Sequence, residues 1–239
     1  MKVVIHCEPR IAWQGPFASK MSAGLDKIGI PNSICSSRSR MSDVAILLGT
    51  TCWRDIEADG GKYLLIDRCS FGDTNEWVSL VWNGHGRRGN HCAPSRPTGE
   101  RWERIGVEVK PWVRGSKRVL CGQHEAYSPK WTLPDWYRNT SQVATHFRPH
   151  PAVPVVPVNL PVHQTWNDVG ACLTLNSSVG VEAILNGIPT AVDDEGGMAW
   201  PGFNYGDDRR PWLNWLAWTQ WHHDEIEDGK PIAHLFASI

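Results

Sequence analysis

The 239 residues suffice for one large domain or two of roughly 110 residues each, and 41% hydrophobic against 21% charged content excludes a disordered or fibrous chain. No run approaches about 18 apolar residues, and His6 and Glu8 interrupt Met1-Lys2-Val3-Val4-Ile5 short of a signal core, so a cytoplasmic protein without a membrane partner is expected. The net charge of −1 conceals two unlike halves: residues 1–119 hold 18 Lys or Arg against 12 Asp or Glu, and residues 120–239 hold 6 against 13. A basic first half suits an anionic partner, nucleic acid foremost, although uneven surface charge can also be without consequence.

Lys2 to Glu8 reads as a first strand, followed by a helix from about Pro16 to Ile28 with Phe17, Met21, Leu25 and Ile28 on one stripe. Ser33–Ser36, Val44–Gly49, Tyr63–Asp67 and Trp77–Asn83 read as strands, and the continuous Ala45-Ile46-Leu47-Leu48 suits a parallel strand buried on both faces. A turn-rich stretch follows, in which Arg87-Arg88 stands between Gly86 and Gly89. From His91 to about Lys117 the chain is rich in Pro, Gly, Arg and Trp with weak periodicity, and its end reads as an interdomain connection.

The second series begins with a strand at Arg118–Gly122, a helix over Leu133–Val143 and a strand over Thr145–Arg148. Pro149–Pro161 reads as an extended proline-rich loop. Cys172-Leu173-Thr174-Leu175 is then a short buried strand, and Asn176, Ser177 and Ser178 are the small polar residues that cap a helix N-terminus. Val179, Ala183 and Ile184 share a helical face, Gly187 and Pro189 stop that helix, and Thr190-Ala191-Val192 is the next strand. Such a strand–turn–helix unit aims backbone N–H groups at the carboxyl edge of a sheet, which suits a diphosphate, though it equally describes an ordinary βαβ unit. Asp193–Trp200 reads as a flexible acidic loop, and Arg210–Glu227 as one long helix whose stripe of Trp212, Trp215, Trp218 and Trp221 suits core packing.

Seven cysteines, an odd number without a CxxC pair, fit buried free thiols. His85, His91, Cys92 and Cys69 form the tightest metal-like set but lack paired spacing, so no resident metal is expected.

The segment Cys172–Val192, with Phe147-Arg148-Pro149-His150-Pro151 upstream, resembles the donor-binding region of GT-B glycosyltransferases and of UDP-N-acetylglucosamine 2-epimerases. The resemblance implies two Rossmann-like α/β domains facing across a cleft: an acceptor domain over residues 1–115 and a nucleotide-sugar domain over 116–239 that ends in the Trp-rich helix. It implies that Ser177 and Ser178 bind the diphosphate and Glu182 the ribose, with Arg148 and His150 near the phosphates. Gln123, Asn176 and Val179 complete the donor set.

The shortness of the chain and its end, Trp212-Leu213-Asn214-Trp215-Leu216-Ala217-Trp218-Thr219-Gln220-Trp221 before Asp224-Glu225-Ile226 and Gly229, resemble the compact glycosyltransferases of tailed phages. That resemblance implies a UDP-sugar donor, UDP-glucose first, and as acceptor a hydroxymethylated pyrimidine in double-stranded DNA, 5-hydroxymethylcytosine first, in the host cytoplasm. A non-catalytic DNA-modification accessory protein, a UDP-sugar epimerase and a glycan-directed transferase are the competing readings.

Sugar transfer to a hydroxyl needs a base for the acceptor proton and positive or dipolar groups for the departing diphosphate. Asp67 after Leu64-Leu65-Ile66, Asp73 in the next turn and Glu8 after the first strand are the candidate bases, each equally suited to a turn, cap or ion pair. Magnesium or manganese can assist product release in this fold and is not required. Arg68, Arg87 and Arg88 are the candidate DNA contacts, Arg87 and Arg88 because flanking glycines let a loop follow a phosphate backbone.

Overall fold

The computed structural model describes residues 2–36, 42–49, 53–91, 93–123, 128–153 and 158–237. They form two compact α/β units, Met1–Ile105 with Pro211–Ile239, and Gly106–Arg210.

The first unit opens with β1 (Val3–His6), α1 (Gln14–Lys27), β2 (Asn32–Cys35), β3 (Val44–Leu48), α2 (Trp53–Ala58), β4 (Tyr63–Arg68) and β5 (Trp77–Trp82). Strands β2, β1, β3 and β4 lie parallel in that order, which places the switch in chain direction between β1 and β3. Gln14 spans it, accepting from the Glu8 N–H at 2.6 Å and donating to the Leu48 carbonyl at 2.7 Å. The expected stripe of α1 is present: Phe17, Met21 and Leu25 are buried against Val3, Ile5, Ile46 and Ile66. β5 runs antiparallel to β4.

Between His91 and Lys117 the chain is more ordered than its weak periodicity suggests. A helix, α3 (Glu100–Ile105), forms in the middle of this weakly periodic stretch, ahead of the expected connection, and its Arg101 is buried. Arg101 donates from Nε to the Ala217 carbonyl at 2.6 Å and from Nη2 to the Gln220 carbonyl at 2.7 Å, and grips both Glu225 oxygens at 2.8 and 3.0 Å. Its guanidinium lies 4.2 Å from the centre of a Trp221 ring.

These partners belong to the C-terminal segment, so the boundary near 115 and the assignment of residues 211–239 to the nucleotide-sugar domain are replaced by the division at Ile105 and the return at Pro211. The expected long helix over Arg210–Glu227 is also interrupted. After the second unit the chain forms α6 (Arg210–Ala217), β11 (Gln220–His222), α7 (His223–Glu227) and α8 (Lys230–Phe236). β11 pairs antiparallel with β5 as the sixth strand of the first sheet. The helix stops because Thr219 Oγ1 turns back to the Leu216 carbonyl and His222 caps α7, its ring accepting from Asp224 N–H while Glu225 accepts from His222 N–H. Part of the tryptophan stripe is core: Trp212 and Trp221 are buried and Trp218 packs on the main cluster, whereas Trp215 is half-buried. α7 also presses on α1 so closely that a Cβ on Gly24 would stand 2.1 Å from the Ile226 carbonyl oxygen, which leaves room for glycine alone.

The regrouping removes the charge asymmetry. The first unit contains 15 Lys or Arg and 15 Asp or Glu, and the second 9 against 10. Lys110, Arg114, Lys117 and Arg118 pass to the second unit, and the four carboxylates of residues 224–228 join the first, two of them held by Lys20 and Lys27 of α1 at 2.6 and 3.2 Å.

Burial raises the Glu225 carboxyl, but bonds and charge from Arg101, the His222 N–H and Arg104 outweigh it and hold the group below its ordinary value. A depressed folded-state value stabilises the fold above the unfolded value of about 4.3 and loses that contribution as pH falls through the folded one. Melting from pH 6 to pH 3 should therefore show a steeper fall for wild type than for Glu225→Gln. Parallel curves would mean that Glu225 contributes no pH-linked stability.

The second unit comprises β6 (Lys117–Cys121), α4 (Leu133–Thr140), β7 (His146–Arg148), β8 (Val169–Thr174), α5 (Val179–Leu185), β9 (Thr190–Val192) and β10 (Gly202–Phe203). Its sheet has the order β10-β9-β8-β6-β7, parallel except for β10. Trp136 and Tyr137 of α4 pack on Leu120 and Phe147, whereas Ala183 of α5 packs with Val119, Cys121 and Cys172 on the other face. This is a doubly wound sheet with its switch between β6 and β8. The expected flexible acidic loop is instead packed: Asp194, Gly196, Gly197, Met198 and Ala199 are buried, and Asp193 accepts from the Trp136 indole at 2.7 Å. Residues 154–157 of the expected proline-rich loop lie outside the described residues.

Candidate donor site in the second unit

Ligands of open α/β sheets bind beyond the carboxyl ends of the strands at the switch point. In the second unit that point is bridged by two expected donor-site residues: Gln123, just past β6, donates from Nε2 to Asn176 Oδ1, just past β8, at 2.5 Å. Arg148 ends the neighbouring β7. Its carbonyl accepts from Gly122 N–H at 2.7 Å, and a Cβ on Gly122 would stand 2.6 Å from the His150 nitrogen, so the strand ends meet only because residue 122 is glycine.

Glu182 projects from α5 towards Arg148. Its Oε1 accepts from Arg148 Nη2 at 3.2 Å and from the Trp166 indole at 2.7 Å, whereas its Oε2 has one marginal contact at 3.5 Å. The Arg148 guanidinium stacks 4.4 Å from a Trp166 ring centre, and its Nη1 is buried without a hydrogen-bond partner. Arg148 is thus fixed at the strand end on two sides and keeps one donor unspent. An unspent donor on a charged group costs free energy until an acceptor meets it.

The serine turn differs from the expected cap. Ser177 Oγ accepts from Val179 N–H at 3.3 Å, Ser178 is exposed with no side-chain capping bond, and Asn176 is engaged by Gln123. His150 Nδ1 accepts from Ala152 N–H at 3.1 Å. Gln123, Arg148, His150, Asn176 to Val179 and Glu182 therefore all lie on the carboxyl-end loops of this sheet or the first turn of α5. Trp166 escaped the sequence reading, and the only hint of its role was an aromatic residue in an otherwise polar loop.

The candidate bases lie in the first unit. Asp67 is at the carboxyl end of β4 with His85 Nε2 3.6 Å from its Oδ2, a partner the sequence did not suggest. Asp73 spends its Oδ1 on the backbone and side-chain nitrogens of Asn75, which makes it a turn residue. Glu8 is exposed after β1, and Arg68, Arg87 and Arg88 are exposed.

The metal-like set is committed elsewhere: buried His91 lies between the Leu80 and Gly86 carbonyls at 2.8 and 3.0 Å, and Cys69 Sγ bonds to the Gly72 carbonyl while burial pushes its thiol up to about 11. Cys92 lies outside the described residues. Among the described residues His222, His223 and Asp224 also converge, but His222 caps a helix and Lys20 lies 3.5 Å from Asp224, which disfavours a cation.

Two mainly parallel, doubly wound units in one chain define a GT-B-like α/β protein. Among solved structures the chain is similar to Thermosulfurimonas dismutans KpsC in two forms. One is described as beta Kdo 2,7 transferase, with 12% identity, a TM-score of 0.51 and coverage of 97% of this chain and 99% of that one. The other is described as beta Kdo 2,4 transferase, with 12% identity, a TM-score of 0.50 and coverage of 90% and 89%. At this identity the likeness shows the fold alone. No family model matches the chain, and no curated protein matches it in sequence. No helix among the described residues is long and apolar enough to cross a membrane.

Proposed function

We propose that the chain transfers a sugar from a nucleotide sugar to a hydroxyl acceptor, with the donor held by the second unit. The observation that carries this reading is Arg148, fixed at a strand end by Glu182 and Trp166 with Nη1 unsatisfied, on the strand beside β6, whose following Gln123 bonds Asn176 across the switch point. Arg148 meets the diphosphate and stabilises the leaving group as the glycosidic bond breaks. Ser177, Ser178, Val179 and His150 border the same phosphates. Glu182 uses Oε1 to hold Arg148 and Trp166 and offers Oε2 to the ribose hydroxyls. In the first unit Asp67 with His85 is the base pair of choice for the acceptor proton, ahead of Glu8 and the turn-bound Asp73. UDP-glucose is the proposed donor, and magnesium or manganese assists product release without being required.

The test is release of UDP from mixed UDP-sugars, with products followed by mass spectrometry in the presence of hydroxymethylated duplex DNA or of oligosaccharides. Acceptor-dependent UDP release is expected. Interconversion of UDP-sugars without acceptor would make the chain an epimerase, and no consumption of any donor would make it a binding module.

DNA bearing 5-hydroxymethylcytosine is the second reading of the acceptor. With the first unit electrically balanced, its support is the exposed pair Arg87 and Arg88 on one 3-10 turn, with Arg68 beside Asp67. On this reading Arg87→Ala with Arg88→Ala flattens the log-log salt dependence of duplex binding by about one unit for each phosphate no longer neutralised. Unchanged slope and affinity would remove these arginines from any DNA surface.

A further inference from the structure

The turn that carries Arg87 also walls a cavity of about 320 Å³, whose lining includes Arg87, Asn90, His91, Pro94 and Trp215. That volume is at the small end for ligand sites and fits one sugar ring. His91 contributes shape and not hydrogen bonds, because both ring nitrogens face backbone carbonyls and its ring stands edge-on to Trp215 at 5.8 Å. Trp215 is thereby braced in place. It is half-buried and is the residue of the Trp212-Trp215-Trp218-Trp221 stripe that lines this cavity with an aromatic surface. The Arg87 guanidinium stands 5.7 Å from the Trp215 ring centre, close to the outer limit of about 6 Å for a cation–π contact, so little holds it there if an anion arrives. Among the described residues the lining contains no carboxylate.

We infer that this cavity is a subsite for an acidic saccharide, in which the apolar face of one sugar ring lies on Trp215 and its carboxylate is gripped by Arg87. The planar guanidinium matches a carboxylate with two parallel hydrogen bonds, and the indole supplies the apolar contact that a sugar's C–H face needs. The inference rests on the glycosyl-transfer reading only in naming this ligand an acceptor, and it assigns Arg87 to a glycan instead of a DNA backbone. The turn also bears His85, the partner of Asp67, so the ligand-binding arginine and the partner of the proposed base share one structural element.

Calorimetric or NMR titration of the full chain with methyl glucuronide and with methyl glucoside, without donor, tests it. The glucuronide should bind about tenfold more tightly, as one charge-assisted pair implies. Arg87→Gln should erase that preference and leave the glucoside affinity unchanged, and being an exposed change it should leave the melting temperature unchanged. Trp215→Leu, checked by its melting curve, should weaken both ligands. Equal affinity for the two glycosides, or a preference that survives Arg87→Gln, overturns the assignment. Displacement of the glucuronide by an oligonucleotide but not by oligoglucuronate also overturns it, in favour of nucleic acid. UDP titrated in parallel separates the two ideas: glucuronide bound without UDP fails the donor reading alone, and UDP bound without glucuronide fails the subsite alone.

Discussion

Arg101→Ala should destabilise the first unit by about 3 to 5 kcal/mol, the range for breaking a buried ion pair from one side. The change leaves Glu225 only Arg104 and the His222 N–H as partners, strands the Ala217 and Gln220 carbonyls, and opens space against Trp218 and Trp221. Arg101→Met combined with Glu225→Gln should be milder than the two single changes added together, because the stranded charge disappears with its partner. Chemical denaturation of the wild type, Arg101→Ala, Arg101→Met, Glu225→Gln and the double variant measures both quantities. A loss below about 1 kcal/mol for Arg101→Ala, the level of a surface ion pair, would mean that the C-terminal return does not depend on this anchor.

Glu182→Ala should weaken UDP binding by about 1.5 to 3 kcal/mol, the range for charge-assisted hydrogen bonds. Two effects contribute. The ribose loses an acceptor at Oε2, and Arg148 loses the partner that aims it. Trp166→Phe separates them: it removes the indole bond to Glu182, keeps an aromatic face for Arg148 and should cost less than Glu182→Ala. Equal losses in both variants would assign the whole effect to positioning and none to the ribose.

Most strands of both sheets were legible because parallel strands buried on two faces need unbroken apolar runs, as Val44–Leu48 and Val119–Cys121 provide. The helix stripe of Phe17, Met21 and Leu25 was legible for the same reason: burial dictates period. What failed was the chain's return to its first sheet. The tryptophans at spacing three mimic one helix through residue 221, and nothing local marks Gln220–His222 as a strand until its partner Ser79 is known. Burial of Arg101 was illegible because a charged residue in a charged hexapeptide, Glu100–Ile105, carries no sign of its distant partners. That omission moved the domain boundary, and with it the charge argument for DNA. The residues proposed for the donor site share one end of the sheet because they follow strand ends in order. Their bonds, Gln123 to Asn176 and Trp166 to Glu182, span 53 and 16 residues and required the fold.

The most direct test of the donor site is calorimetric titration of UDP into wild type and Arg148→Ala, with thermal melting of each protein alongside. Saturable binding to wild type, weakened at least about tenfold in a variant that still melts cooperatively, is the predicted result for an arginine that holds a diphosphate. No binding of UDP to wild type, or the same affinity in both proteins, would contradict it.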